Sequence, residues 1–142
     1  MRVVLDTNLW ISFLFGKAMD DLLRYLEEAS VTILTDERKF EEFEMVIARP
    51  KIKKVVGPDR IAIMRAFAHR QTIVKAKRRV TACRDPNDDY LLEIAVAGKA
   101  DCIITGDFDL KALDPFLGIR IMGYRDFKNL LARSKEGRGS RS

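Results

Sequence analysis

Short apolar runs alternate along the chain with longer stretches in which apolar residues return every three or four positions. The runs RVVL at 2–5, VTIL at 31–34, DCIIT at 101–105 and IRIM at 119–122 read as strands. Their continuous rather than alternating character predicts strands covered on both faces, as in a parallel sheet. Residues 72–74 and 80–82 are weaker strand or loop segments. Between these runs the period is helical. A first helix is predicted over 9–15, stopped by Gly16, and a second over 18–29 with Leu22, Leu23, Leu26 and Ala29 on one face. Asp36 caps a helix over 37–48 whose inner face is Phe40, Phe43 and Ile47, and Pro50 ends it. Residues 51–56 form a basic connector, and Gly57-Pro58-Asp59 starts a helix with Ile61, Met64, Phe67 and Ala68 inward. Pro86 opens a further helix bearing Leu91, Leu92, Ala95 and Val96. Asp109 caps a short helix at 110–113, and a last helix spans 124–133.

Strands alternating with helices predict an α/β fold with a central parallel sheet flanked by helices. Residues 1–133 read as one domain, and 134–142 (SKEGRGSRS) as a disordered basic tail. A chain of 142 residues buries enough surface to fold without a staple. Cys83 and Cys102 lie in no CxxC spacing, so two reduced thiols are expected, and one histidine, His69, excludes a His/Cys zinc site. No run approaches the roughly 20 apolar residues of a membrane span, and Asp6 interrupts any secretory core. A cytoplasmic protein is expected.

Charge changes the picture. The net +5 conceals a basic block over 49–84, net +11, between acidic segments of −5 (1–48) and −4 (85–132). Such a block suits a polyanion, although a charge run is also an ordinary solvated helix face.

In an open α/β sheet, ligands bind beyond the carboxyl ends of the strands. Asp6 follows the first strand, Asp107 follows CIIT, and Asp88 lies in the first turn of the helix before that strand. Glu42 sits at the margin of its helix's apolar stripe. Each acid alone has a structural explanation. Asp6 can cap the following helix, Asp85 and Asp88 suit a helix start, Asp107 suits the turn after Gly106, and Glu42 suits a surface. Together, several carboxylates on one edge repel unless a hard divalent cation bridges them.

The motifs VVLDTN at 3–8, the Glu42 helix with ARPK at 48–51, RDPNDD at 84–89 and ADCIITGDFDL at 100–110 resemble the PIN domain family, nearest its putative-toxin branch of VapC type. The resemblance spans residues 2 to about 130. It implies a three-layer α/β sandwich and an endoribonuclease using one or two Mg²⁺ or Mn²⁺ ions. Asp6, Glu42, Asp88 and Asp107 match the four acidic site residues, with Asp6, Asp88, Asp107 and Asp109 as metal ligands. Asn8 and Thr105 match site-lining polar positions. Asp89 is the alternative to Asp88, about 100° round the helix. On this reading Arg49, Lys51, Lys53, Lys54, Lys75, Lys77, Arg78 and Arg79 hold the RNA backbone. Trp10 and Phe15 suit either base stacking or, better, core packing. The resemblance also implies an antitoxin partner and a homodimer.

Two other classes compete. Phosphohydrolases of the haloacid-dehalogenase type begin with DxD, where this chain has Asp6-Thr7-Asn8, and receiver domains need a late-strand lysine that is missing. A non-catalytic RNA- or partner-binding module would keep the basic surface without needing all four acids.

Overall fold

The structure, a computed structural model, describes residues 1–14, 21, 23–24, 31–76 and 79–139. The side chains of residues 13, 14, 87 and 134–139 are excepted. The helix expected over 18–29 and the stop at Gly16 fall almost wholly outside the described residues, as do Phe15, Lys77 and Arg78.

Five strands form one parallel sheet: β1 (Arg2–Leu5), β2 (Thr32–Thr35), β3 (Thr72–Ile73), β4 (Cys102–Ile104) and β5 (Arg120–Met122). Their order is β3-β2-β1-β4-β5. Val3 pairs with Ile33 on one side and Cys102 on the other. The helices are α1 (Thr7–Leu14), α2 (Glu37–Ile47), α3 (Pro50–Val56), α4 (Pro58–His69), α5 (Pro86–Ala97), α6 (Phe108–Lys111) and α7 (Tyr124–Gly139).

The pleat sends alternate residues to opposite faces. Val3, Leu5, Ile33, Cys102 and Ile104 pack against Trp10 of α1, Phe43 and Ile47 of α2, Met64 and Phe67 of α4, and Phe127 of α7. Val4, Leu34, Ile103 and Ile121 pack against Leu91, Leu92, Ile94 and Ala95 of α5 and Leu110 of α6. The result is the three-layer α/β sandwich expected, with both sheet faces buried. Both cysteines are free thiols.

The structure differs in detail from the sequence pattern, beginning with α1, which starts at Thr7, two residues before the expected 9–15. Residues 51–56 are not a connector: Pro50 stands in the first turn of α3, where its missing N–H costs nothing. Ile52 and Val56, one turn apart, pack on the core. Of the two readings of residues 80–82, strand or loop, the structure takes the loop. Asp107 rather than Asp109 caps the short helix, so α6 starts two residues early. The last helix continues to Gly139, past residue 133 where composition placed the start of a tail. Among the described residues, no helix is long and apolar enough to cross a membrane.

Candidate active site at the carboxyl edge of the sheet

The strand order reverses between β1 and β4. From β1 the chain first builds outward through β2 and β3, then returns to add β4 and β5 on the other side. The loops leaving β1 and β4 therefore part in opposite directions and open a crevice at their carboxyl ends. Asp6 and Thr105 stand at this point. The Asp6 N–H donates to the Ile104 carbonyl at 3.0 Å, extending the ladder one residue beyond β1.

Asp6 is buried and its side chain is held at both oxygens. Oδ1 accepts from the Asn8 N–H at 3.0 Å, and Oδ2 accepts from the Thr105 hydroxyl at 2.8 Å. The Asp6 carbonyl accepts from the N–H groups of Leu9 and Trp10, which starts α1. Asp6 thus both caps a helix and faces the crevice. The fully buried Thr105 Oγ1 in turn accepts from the Asp107 N–H at 3.1 Å, linking Asp6, Thr105 and Asp107 in one chain of hydrogen bonds. Asp107 Oδ1 accepts from the N–H groups of Asp109 and Leu110 at 2.7 and 3.2 Å, which fixes it at the start of α6.

Asp88 arrives from α5. That helix runs back along the sheet into β4, so its first turn lies at the same edge. Burial and the neighbouring charges of Asp107, Asp85 and Asp6 push the Asp88 carboxyl up to about 6, against a smaller opposing pull from Lys39. Asp6, Asp88 and Asp107 therefore share one electrostatic environment.

Glu42 is half-exposed and joins this group only through Lys39, whose Nζ lies 3.4 Å from Glu42 Oε2. Asp109 is exposed in the first turn of α6, and Asn8 is exposed, engaging Asp6 through its backbone. Asp89, the alternative to Asp88, is buried and accepts from the N–H groups of Ala82 and Cys83, both at 2.9 Å. It anchors the loop before α5 rather than facing the crevice. Arg49, Lys51, Lys53 and Lys54 are exposed on and before α3, and Lys75 and Arg79 on the segment leaving β3. Trp10 is core: its ring centroid lies 5.6 Å from that of Phe43 and 4.4 Å from that of Phe67. His69 is an exposed helix-face residue.

Lys39 is the residue that sequence reasoning missed. It is buried at the margin of the acid cluster. Its spacing of three from Glu42 was the available signal, but it reads equally as a surface pair. Arg38, Tyr90 and Glu93 were also missed. Arg38 reaches Asp36 Oδ2 at 2.6 Å and Glu93 Oε2 at 3.1 Å, with its guanidinium 3.9 Å from the Tyr90 ring centroid.

The sequence of residues 2–109 matches the family model of the PIN domain. The chain belongs to the PIN domain family. The matched span runs from β1 into α6 and contains Asp6, Glu42, Asp88, Asp107 and Asp109. The uncharacterized protein MJ1680 of Methanocaldococcus jannaschii is 31% identical over 121 residues, which covers 80% of this chain and 75% of the relative. No solved structure gives a significant match. PIN domains are generally nucleases, so the crevice belongs to a nuclease fold.

The donors at this PIN-domain crevice are carboxylate and hydroxyl oxygens, the set a hard divalent cation takes. The upward push on Asp88 comes first from burial and then from the charges of Asp107, Asp85 and Asp6, which Lys39 only partly offsets. Among the described residues, no three acidic, His or Cys side chains stand close enough together to grip one ion as they are. Carboxylates that repel one another are expected to stand apart. In chemistry and charge the residues fit a divalent cation.

Proposed function

We propose that this PIN domain is a metal-dependent endoribonuclease that hydrolyses RNA phosphodiester bonds with one or two Mg²⁺ or Mn²⁺ ions. The reading rests on the hydrogen-bonded series Asp6–Thr105–Asp107 at the switch point, with Asp88 facing it. Asp6, Asp88 and Asp107 would hold the metal, which when bound supplies a water of lowered pKa and offsets charge developing on the phosphate. The chain's own residues do the rest. Thr105 and the Asn8 N–H fix both oxygens of Asp6, and the start of α6 fixes one oxygen of Asp107, so two carboxylates are oriented before substrate arrives. Lys39 keeps a fixed positive charge beside Glu42 and Asp88, so fewer charges change when the phosphate enters. Glu42 positions the attacking water or a second ion, and Asp109 is a candidate fifth acid. Arg49, Lys51, Lys53, Lys54, Lys75 and Arg79, with Lys77 and Arg78, hold the RNA backbone.

Cleavage of a labelled structured RNA tests this. Activity is expected with Mg²⁺ or Mn²⁺, none with EDTA, and a loss of more than about 100-fold in Asp6→Asn and Asp107→Asn. Equal cleavage by wild type and both variants would place the activity elsewhere. RNA binding that falls steeply with salt, without cleavage, would make the protein a binding module. The same reading makes the chain the cytoplasmic toxin of a toxin–antitoxin pair, with an antitoxin protein and a second copy of itself as partners. Expression should then arrest growth unless the product of the adjacent gene is co-expressed. Growth unaffected by the active enzyme would assign it to RNA processing instead.

A further inference from the structure

Beside the crevice, on the β2–β3 side, lies a cavity of about 480 Å³ lined by Arg38, Arg79, Val80, Pro86, Tyr90 and Glu93, among others. Its volume falls within the range of small-ligand pockets, about 300–1,000 Å³. It is built on the same helix turn as the acid site. Tyr90 is two residues from Asp88 on α5, roughly 3 Å along the axis and about 200° round it, on the helix face that Pro86 and Glu93 also give to the cavity. Arg38, which lines the cavity, and Lys39, which lies near Asp88, are consecutive residues of α2, so the cavity and the acid site flank one turn of that helix.

The walls are specific in kind. Arg38 is clamped between two buried carboxylates, Asp36 and Glu93, and its guanidinium carbon lies 3.9 Å from the Tyr90 ring centroid. The pair forms a cation–π contact, and 43% of the Arg38 side chain stays exposed to meet a ligand. Glu93 accepts from the Val80 N–H at 3.3 Å through Oε1 and from Arg38 through Oε2. Each oxygen keeps a further lone pair for an incoming donor. The charged lining is Arg38 and Arg79 against Asp89 and Glu93, a formal sum of zero. A neutral wall that is flat, aromatic and acceptor-bearing does not suit a phosphate. It suits a nucleobase, whose π face stacks on aromatic and guanidinium planes while its amino edge seeks a carboxylate. The exposed Lys75 and Arg79 stand on the segment bordering the cavity, where the flanking phosphates would run.

We propose that this cavity is a base-specificity subsite for single-stranded RNA. One unpaired nucleobase stacks on the Arg38–Tyr90 pair and donates its amino group to Glu93, which favours cytosine over uracil. The proposal rests on the ribonuclease reading, and the two fail differently.

The test is fluorescence anisotropy of labelled octacytidylate and octauridylate in EDTA, where the RNA stays intact. Wild type is expected to bind the cytosine octamer about tenfold more tightly than the uracil octamer. Tyr90→Leu should weaken both about tenfold, Tyr90→Phe should restore them, and Glu93→Gln should remove most of the preference while leaving overall affinity close to wild type. Circular dichroism checks that each variant is folded, and Glu93→Gln decides the matter should Tyr90→Leu unfold. Wild type that binds both octamers equally, or variants that behave as wild type, would overturn the subsite and leave the ribonuclease standing. Failure to bind either octamer by a protein that cleaves structured RNA with Mg²⁺ would overturn the subsite alone, and failure of that cleavage as well would sink both readings. Free CMP that binds as tightly as the cytosine octamer would overturn the RNA assignment in favour of a mononucleotide site.

Discussion

Asp88→Asn should make the metal-free protein more stable at pH 7.5 while abolishing its proposed activity. The structure supplies the magnitude. Burial, together with Asp107, Asp85 and Asp6, lifts the Asp88 carboxyl from its ordinary 3.8 to about 6. In free energy that difference is about 3 kcal/mol between charge states. Asp88 is only half-buried, and solvent screening reduces this to about 1.5 kcal/mol. Asparagine also gives up an anion in the first turn of α5, which removes about 0.5 kcal/mol of favourable dipole interaction. The net gain is about 1 kcal/mol, or about 3–4 °C in Tm for a domain of this size. The sign follows from linkage: a carboxyl raised in the folded state costs nothing below its unfolded pKa near 3.8. The cost grows between 3.8 and 6 and is complete above about 6. Wild type thus loses stability relative to Asp88→Asn as pH rises through 6, and the two converge near pH 4. Thermal melts of both proteins in EDTA and low salt, at pH 4 and pH 7.5, read this directly. Adding Mg²⁺ at pH 7.5 should stabilise wild type by mass action and leave Asp88→Asn nearly unmoved. No gain at pH 7.5, or a gain of equal size at pH 4, would refute the view that these carboxylates confront one another.

Other expectations follow from single contacts. Lys39→Gln removes a cation that lowers the Asp88 carboxyl, so Asp88 should titrate higher still, read by carboxyl NMR; an unchanged titration would place Lys39 out of range. Burial raises the Asp89 carboxyl, but the Ala82 and Cys83 N–H groups and the Cys83 thiol outweigh it, leaving a net lowering. Asp89→Ala should therefore cost about 1–3 kcal/mol at neutral pH. Because the native carboxyl is depressed, that difference should shrink as pH falls through the acid range. Phe108 is 83% exposed beside Asp107. Phe108→Ser should leave Tm within about 1 °C and weaken RNA binding about 5- to 150-fold, the roughly 1–3 kcal/mol of one stacked base. Unaltered affinity would mean that the ring does not meet the strand.

Much of this protein is written in short segments of its sequence. The apolar runs around Val3–Val4, Ile33–Leu34 and Ile103–Ile104 announce buried parallel strands, because burial on both faces leaves no polar alternate positions. Asp6, Asp88 and Asp107 are legible because each is adjacent to an element boundary, and boundaries of parallel strands fall on one edge. The α5 start is legible for the same local reason, a proline in the first turn.

What remained hidden depends on partners far away in the chain. Thr105 and Asp6 are 99 residues apart, and only the β1–β4 pairing puts the hydroxyl on the carboxylate. Arg38 and Glu93 are 55 apart, and no helical period indicates that they meet. Lys39 reads as solvated in the sequence because a lysine usually is; the fold buries it because the acids around it supply the charge that makes burial tolerable. The short helix α3 was lost because Pro50, which ends α2, also begins its successor, and only packing of Ile52 and Val56 selects the second role. Periodicity and turn chemistry are properties of neighbouring residues, so the sequence alone determines most of the elements and the acids at their ends. Which charges face one another is decided by pairing across the sheet, and that belongs to the tertiary structure.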